Sequence, residues 1–533
     1  MPTKKGFLSI ILHAHLPYVR HPEYENFFEE NWLFEAMTEC YIPLINALDR
    51  LQADKVDYRL TLSLSPTLIS MLGDDLLQTR YQNHLAKQIE LAEKEIVRTR
   101  GQTEYHKLAR LYRRYFLDAE KVYKHYQGDL ISAFKKHHAA GNLEIITTAA
   151  THAFLPLLKL SETAVRQQIR LGIETFKASL GFFPTGFWLP ECGYYKGLEK
   201  ILADEGVKYF FTDTHGVMDA HEKPENGVFA PLDCGNGVLA FARDPESTRQ
   251  VWSAEQGYPG DSNYREYYSD IGFELEMETI APYLLDGKER INTGIKYHRI
   301  TTKDENQACY NPKKAKLKVI QDAYDFVTKC QQQIEQIPGK MDKPPIIVSP
   351  YDAELFGHWW FEGPCWLETV LRLANKADNN FETISCTDYL TRQTTHQVLT
   401  PASSSWGDEG FSSYWINEEN DWIYPFLFKA TEEMEKLVSD FENVSVSTLQ
   451  QRALNQALRT LLLLQASDWP FIMKAGTTAE YAKKRIIDHL ARFNYLHECL
   501  RKNKIDEHYL LALEIMDNIF PCIDYRGYCL ESI

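Results

Sequence analysis

Short runs of apolar and β-branched residues recur at 7–13, 58–64, 143–148, 186–189, 209–212, 238–242, 346–349 and 381–385, with helical stretches between them. That alternation predicts parallel strands joined by crossover helices, an α/β architecture. Several runs end in polar residues. Ligands of parallel-sheet proteins gather at the carboxyl ends of strands, so chemistry is sought just after each run. Residues 75–140 break the alternation: they lack proline, are rich in Glu, Lys, Arg, Gln and Leu, and carry apolar positions at helical spacing, which predicts a helical insertion. Residues 245–310 hold Trp252, Tyr258, Tyr264, Tyr267, Tyr268 and Tyr297 among turn signals, the mark of an ordered aromatic lobe. From about Tyr424 helical patterns dominate, with Leu454, Leu458, Leu461, Leu462 and Leu464 strongly apolar. The expected organisation is a parallel-sheet unit from 1–74 and 141–400 bearing the 245–310 lobe, a helical insertion at 75–140 and a C-terminal helical domain at 401–533.

Composition narrows the function classes. Of the 533 residues, 58 are basic and 74 acidic, a net charge of −16 that repels phosphate backbones and anionic lipid, so neither nucleic acid nor a membrane surface is an expected partner. Tyr, Phe and Trp make up 13% of the chain, and flat amphipathic rings suit sugar faces as well as cores. Ten cysteines are scattered with no CxxC pair, which predicts neither a zinc cluster nor a disulfide framework and fits a reducing cytoplasm. No run approaches 18 apolar residues, so no transmembrane helix or signal peptide is expected. GxSxG, P-loop and GxGxxG motifs are missing, which lowers esterase, kinase and dinucleotide readings.

Chemistry concentrates in a few segments. His13-Ala-His15 follows the first strand, and in extended chain the two imidazoles project to one side, able to meet sugar hydroxyls, a metal or structural partners. Phe187-Trp188-Leu-Pro-Glu191 puts a carboxylate directly after an apolar run and a proline, with aromatic neighbours. The segment from Ser349 to Trp360 repeats the grammar with Asp352, Glu354, His358 and two tryptophans; burial beside indoles raises a carboxyl pKa towards values where it donates a proton. The stretch from Trp406 through Trp415 to Trp422 mixes indoles with polar residues, a poor core and a good stacking loop, and Asp468-Trp469 ends the leucine-rich helix. Two rim carboxylates on different strands among aromatic rings are what glycoside cleavage requires.

HAHLPY at 13–18, GFWLPECGY at 186–194, SPYDAELFGHWWFEG at 349–363 and ASDWPF at 466–471 resemble the signature segments of glycoside hydrolase family 57. The resemblance extends to 146–158, 241–260 and 403–418, covers nearly the whole chain, and is greatest to the family's 1,4-α-glucan branching members. It implies an incomplete (β/α)7 barrel with an inserted helical domain and a C-terminal helical domain. It further implies Glu191 as nucleophile and Asp352 as acid/base of a retaining double displacement, with no metal or organic cofactor. By the same resemblance His13, His152, Arg243, Trp252, Trp360, Trp406, Trp415, Asp468 and Trp469 would line or rim the site of an amylose- or glycogen-type glucan, and His15 and Trp188, in the segments singled out above, are expected to contact it as well. One segment departs from the branching members: 213–242 is short and contains no tyrosine to reach over a cleft. Water then competes for the intermediate, so an α-amylase-like hydrolase and a 4-α-glucanotransferase remain alternatives on the same site. A metal-dependent hydrolase using His13, His15 and Asp213, and a non-catalytic glucan-binding protein, are the remaining ones.

Overall fold

The computed structural model describes residues 4–253, 256–285, 287–301, 307–337, 341–376, 379–442 and 444–529, so a few positions of every expected segment except 75–140 lie outside the described residues. Among the described residues ten strands form one sheet: β1 (Gly6–Ala14), β2 (Leu60–Leu64), β3 (Leu143–Thr148), β4 (Gly186–Trp188), β5 (Tyr209–Thr212), β6 (Leu232–Asp233), β7 (Leu239–Ala242), β8 (Ile346–Asp352), β9 (Phe381–Thr383) and β10 (Gln397–Val398). Their order is β10-β6-β7-β5-β4-β3-β2-β1-β8, with β9 also on β1. Among the described residues every strand pair of the sheet is parallel except β6–β7.

β1 is the spine, with all nine residues buried. One edge pairs with β8 from Phe7↔Ile346 to His13↔Asp352, and the other takes β9 along Gly6–Leu8 and then β2 along Ile11–Ala14. The sheet curls until its ends approach: Asp244, just past β7, donates its N–H to the Val348 carbonyl of β8 at 2.8 Å, and Ile346 donates to Phe229 at 2.9 Å. The result is the incomplete barrel expected from the resemblance. β8 runs three residues beyond the expected 346–349, through Pro350, because it ends the sheet and its outer-side bonds to Phe229 and Asp244 stop at Val348, before the proline. β6 and β10, two residues each, are too short to leave a periodic trace in the sequence.

Helices Asp75–Arg98 and Thr103–His125 stand beside the barrel, the first capped by the Asp74 carboxylate on Leu77 N–H at 3.0 Å. The third helix of this stretch, Leu130–Ala139, packs on β3 and is tied by Lys136 to Asp49 of helix Ile42–Ala53 at 2.7 Å. The aromatic stretch is organised around a fully buried Asp270, which accepts from Gly272 N–H, Thr293 N–H and hydroxyl, and Gly294 N–H at 2.7–3.0 Å. It docks on the two long helices through Tyr297 to Glu95 at 2.8 Å and Gln88 to the Thr293 carbonyl at 3.0 Å.

The C-terminal helices Ile423–Phe441, Thr448–Leu464, Asp468–Ala475, Ala479–Arg501 and Glu507–Met516 bury all five leucines singled out above. They are stitched to the barrel rim by Ser467 N–H on the His152 carbonyl at 3.1 Å and Thr151 hydroxyl on the Leu462 carbonyl at 2.5 Å. Among the described residues no helix is long and apolar enough to cross a membrane.

The loop after β8 approaches a π-helical turn, Met37–Tyr41, so closely that a Cβ on Gly357 would lie 1.8 Å from the Glu39 carbonyl oxygen, and Gly357 itself has φ +120°. Only glycine fits there. Gly357→Ala is expected to lower the thermal unfolding midpoint, with about 1–3 kcal/mol lost from the backbone conformation alone. A midpoint equal to that of the parent chain would refute the close approach.

Candidate active site

Side chains able to do chemistry converge at the carboxyl ends of the strands. His13 on β1 is the direct partner of Asp352, the last residue of β8. His152 follows β3, Glu191 follows β4 and Arg243 follows β7. All five line one open cavity of about 850 Å³, with His15, Trp252, Glu354, Trp359, Trp406, Trp415 and Asp468.

Glu191 reaches the cavity through a turn that ordinary residues avoid. Glu191 and Cys192 both lie in the left-handed region, at φ +60° and +50°, and His152 does so at +55°. Each costs roughly 1–3 kcal/mol and persists only where the surroundings overdetermine it. Here Cys192 N–H bonds Leu189 O at 2.8 Å, Gly193 N–H bonds Pro190 O at 2.9 Å, and Trp406 N–H bonds the Glu191 carbonyl at 2.9 Å. The Cys192 side chain is sealed in the barrel interior with Ile11 and Trp188.

The two acids sit in different fields. Glu191 accepts the Trp406 indole N–H on Oε2 at 2.7 Å and the Ser467 hydroxyl on Oε1 at 3.1 Å. Burial pushes its pKa up to about 7 against the pull of those donors, with Asp468 adding to the rise. Asp352 is raised well above the usual carboxylate range by burial and by repulsion from Glu354 and Glu191, opposed by Arg243. Burial takes Glu354 to about 7 as well, although the Tyr41 hydroxyl donates to it at 2.5 Å. Burial works against protonation of His15, but the Asp468 oxygen 3.0 Å from its Nε2 raises its pKa overall. Burial, with the charge of His15 adding, drives His13 and His152 well below the imidazole range, so both are neutral.

Ten of the thirteen expected site residues line the cavity: His13, His15, His152, Glu191, Arg243, Trp252, Asp352, Trp406, Trp415 and Asp468. Trp188, Trp360 and Trp469 do not. Trp188 lies beneath the site, stacked on His13 with ring centroids 4.5 Å apart. Trp360 is core, packed on Tyr264, Phe356 and Trp366, because the turn at Gly357 rotates it inward and leaves its neighbour Trp359 half exposed at the cavity. Trp469 is buried on the first turn of its helix, giving its indole N–H to the Leu463 carbonyl at 2.8 Å. Trp359, Glu354, Tyr414 and Phe471 line the cavity without having been assigned to it, and so does the loop glycine Gly407. Each lies within or beside a segment already singled out, but adjacent tryptophans give no periodicity by which to choose between them. Ser467 lies inside the quoted 466–471 segment, but a single serine there gives no sign of the partner it meets.

Asp213, the third ligand of the metal alternative, instead binds Arg243 at 2.6 Å and caps Thr214 N–H at 2.6 Å. Among the described residues no group of three or more His, Cys, Asp or Glu could hold a metal ion. The tyrosine-free segment 213–242 runs along the barrel wall, and none of its residues lines the cavity. Buried atoms without partners remain at the cavity side chains Arg243 (Nε), Trp415 (Nε1) and Asp468 (Oδ2), where a polyhydroxylic ligand could complete the bonding.

This arrangement has relatives. The model of glycosyl hydrolase family 57 matches residues 9–401, and that of the 1,4-alpha-glucan branching enzyme C-terminal region matches 427–528. The chain is 33% identical to a 1,4-alpha-glucan branching enzyme of Thermococcus kodakarensis over 99% of this chain and 79% of that protein. Among solved structures, the alpha-amylase AmyC from Thermotoga maritima superposes with a TM-score of 0.93 at 44% identity, over 99% of this chain and all of that one. A family 57 branching enzyme from Pyrococcus horikoshii superposes with a TM-score of 0.88 at 32% identity, over 99% of this chain and 97% of that one. With a strand-end acid pair, an aromatic cleft and a family match over most of its length, the chain belongs to glycosyl hydrolase family 57.

Proposed function

We propose that this protein is a retaining 1,4-α-glucan branching enzyme acting on amylose- or glycogen-type glucan in the cytoplasm. The observation that carries the reading is a pair of carboxyl groups in one open cavity whose surroundings set them apart. Glu191 is furnished with two donors that favour its anion, and Asp352 is surrounded by like charge that favours its proton. The Asp352 proton passes to the glycosidic oxygen as that bond breaks, and a Glu191 oxygen bonds the anomeric carbon to give a glycosyl ester. Asp352, now ionised, takes a proton from the acceptor hydroxyl, which displaces Glu191 and restores both groups. A glucan 6-hydroxyl as acceptor yields an α-1,6 branch, and water yields hydrolysis.

Branching is favoured by the match of 427–528 to a branching-enzyme C-terminal region, since this part of the chain supplies Asp468 and Phe471 to the cavity. Hydrolysis has its own support in the 44% identity to a structure described as an alpha-amylase and in a 213–242 segment that stays off the cavity. With no cover from that segment, water reaches the ester, and chain cleavage accompanies branching. Trp359, half exposed and backed by Tyr267 at 4.3 Å between centroids, offers a face for stacking a glucosyl unit.

Incubation with amylose is expected to give new α-1,6 linkages together with reducing ends; reducing ends alone would refute branching. Glu191→Gln and Asp352→Asn are each expected to cut turnover on the order of 10⁴-fold or more while glucan still binds, and undiminished turnover in either would remove the assignment. Because Glu191 must be ionised to attack, kcat/KM should fall as pH drops through about 7. Trp406→Phe deletes a donor to the anion, so this limb should move to higher pH; a shift to lower pH would contradict the geometry. Trp359→Ala should raise KM for glucan with little change in kcat, and an unchanged KM would exclude stacking there.

A further inference from the structure

Four hydrogen bonds run in series beneath the cavity. Ser63 Oγ lies 3.0 Å from His13 Nδ1, and His13 Nε2 lies 2.9 Å from His152 Nε2. His152 Nδ1 then lies 2.9 Å from Ser467 Oγ, whose hydroxyl donates to Glu191 Oε1 at 3.1 Å. The participants come from β2, β1, the turn after β3, the C-terminal helices and the turn after β4. Ser63, His13, His152 and Ser467 are all buried.

Proton counting orients the whole series. A carboxylate only accepts, so the single hydroxyl hydrogen of Ser467 is committed to Glu191. Ser467 Oγ must then accept from His152, which places that ring's hydrogen on Nδ1. A neutral imidazole carries one hydrogen, so His152 Nε2 is bare and His13 Nε2 must donate to it. His13 Nδ1 is consequently bare and accepts the Ser63 hydroxyl. Every step has one solution, and each follows from the ionised oxygen at the end.

We propose that Ser63, His13, His152 and Ser467 form a one-way hydrogen-bond relay, all of whose hydrogens point towards Glu191, which makes Ser63 and Ser467 positioning residues for that carboxylate. Bonds aligned in one sense polarise one another, so the Ser467 hydroxyl is a stronger donor than an isolated serine. The relay transfers no proton. It favours the Glu191 anion, yields when charge leaves the carboxylate as the glycosyl ester forms, and tightens when the acceptor displaces it. The burial that keeps His13 and His152 neutral also enforces the count of one hydrogen per ring. The catalytic consequence rests on Glu191 being the nucleophile, whereas the order of hydrogens does not.

Ser63 is a clean place to test this, because it is absent from the cavity lining and reaches Glu191 only through the series. The charged groups that share the cavity with Glu191 are Asp468, His15, Asp352, Glu354 and Arg243, the last paired with Asp213, and none is altered by changing Ser63. Neutron diffraction from a perdeuterated crystal grown above pH 8 should place deuterium on His152 Nδ1 and His13 Nε2. Deuterium on His152 Nε2 or His13 Nδ1 would overturn the relay whatever the activity of the enzyme. Ser467→Ala should lower kcat about tenfold or more and move the acidic limb of kcat/KM to higher pH. Ser63→Ala should do the same more weakly, a few-fold, with Ser63→Thr restoring the parent profile. If the hydrogens lie as stated but Ser63→Ala leaves both kcat and the limb in place, the positioning role is refuted. Full turnover in Glu191→Gln would instead strike at the function proposed above and leave the hydrogen order standing.

Discussion

Four carboxyl groups, those of Glu191, Asp352, Glu354 and Asp468, share the wall of one cavity, and burial resists the charge on each of the first three. Removing ionised groups from water costs several kcal/mol apiece unless each finds donors or gives up its charge. Much of the surrounding architecture answers that demand. A π-helical turn brings the Tyr41 hydroxyl to Glu354, the C-terminal helices bring Ser467 to Glu191, the loop after β10 brings Trp406, and His15 turns to Asp468. Asp352 is the group left to relieve the crowding by holding a proton.

The same demand accounts for the backbone conformations of the site. Asp352 reaches the cavity as the last residue of β8, whereas Glu191 lies three residues past the end of β4 and reaches it through a turn. Placing Glu191 and Cys192 consecutively in left-handed conformation bends the chain so that Glu191 lines the cavity while Cys192 stays sealed inside. Hydrogen bonds within 189–193 and from Trp406 hold the bend, which spends stability on geometry in the way expected of a reactive centre.

The alternating apolar runs made the longer parallel strands legible because β1, β2, β3, β5 and β8 are buried along nearly their whole length, and the acids stood out because they follow such runs beside aromatic residues. Glu191 and Asp352 could therefore be found by local reasoning. Trp359 could not be told from Trp360, since the choice depends on a turn made possible by the close contact of Gly357 with Glu39, a partner more than three hundred residues away. Trp469 looked like a stacking residue because it adjoins Asp468, yet the helix that presents the acid outward turns the indole inward. Ser63 and Ser467 carry no composition signal. Their importance lies in contacts across chain separations of 50 and 276 residues, which appear only after folding.

Ribosomes make the barrel strands first and the helices that finish the cavity afterwards. When β10 has emerged, Glu191 and Asp352 already exist, but Trp406, Ser467 and Asp468 have yet to be added. A nascent chain at that point carries both acids without the two side chains that donate to Glu191. The donors that hold Glu191 in place thus belong to chain made after both acids.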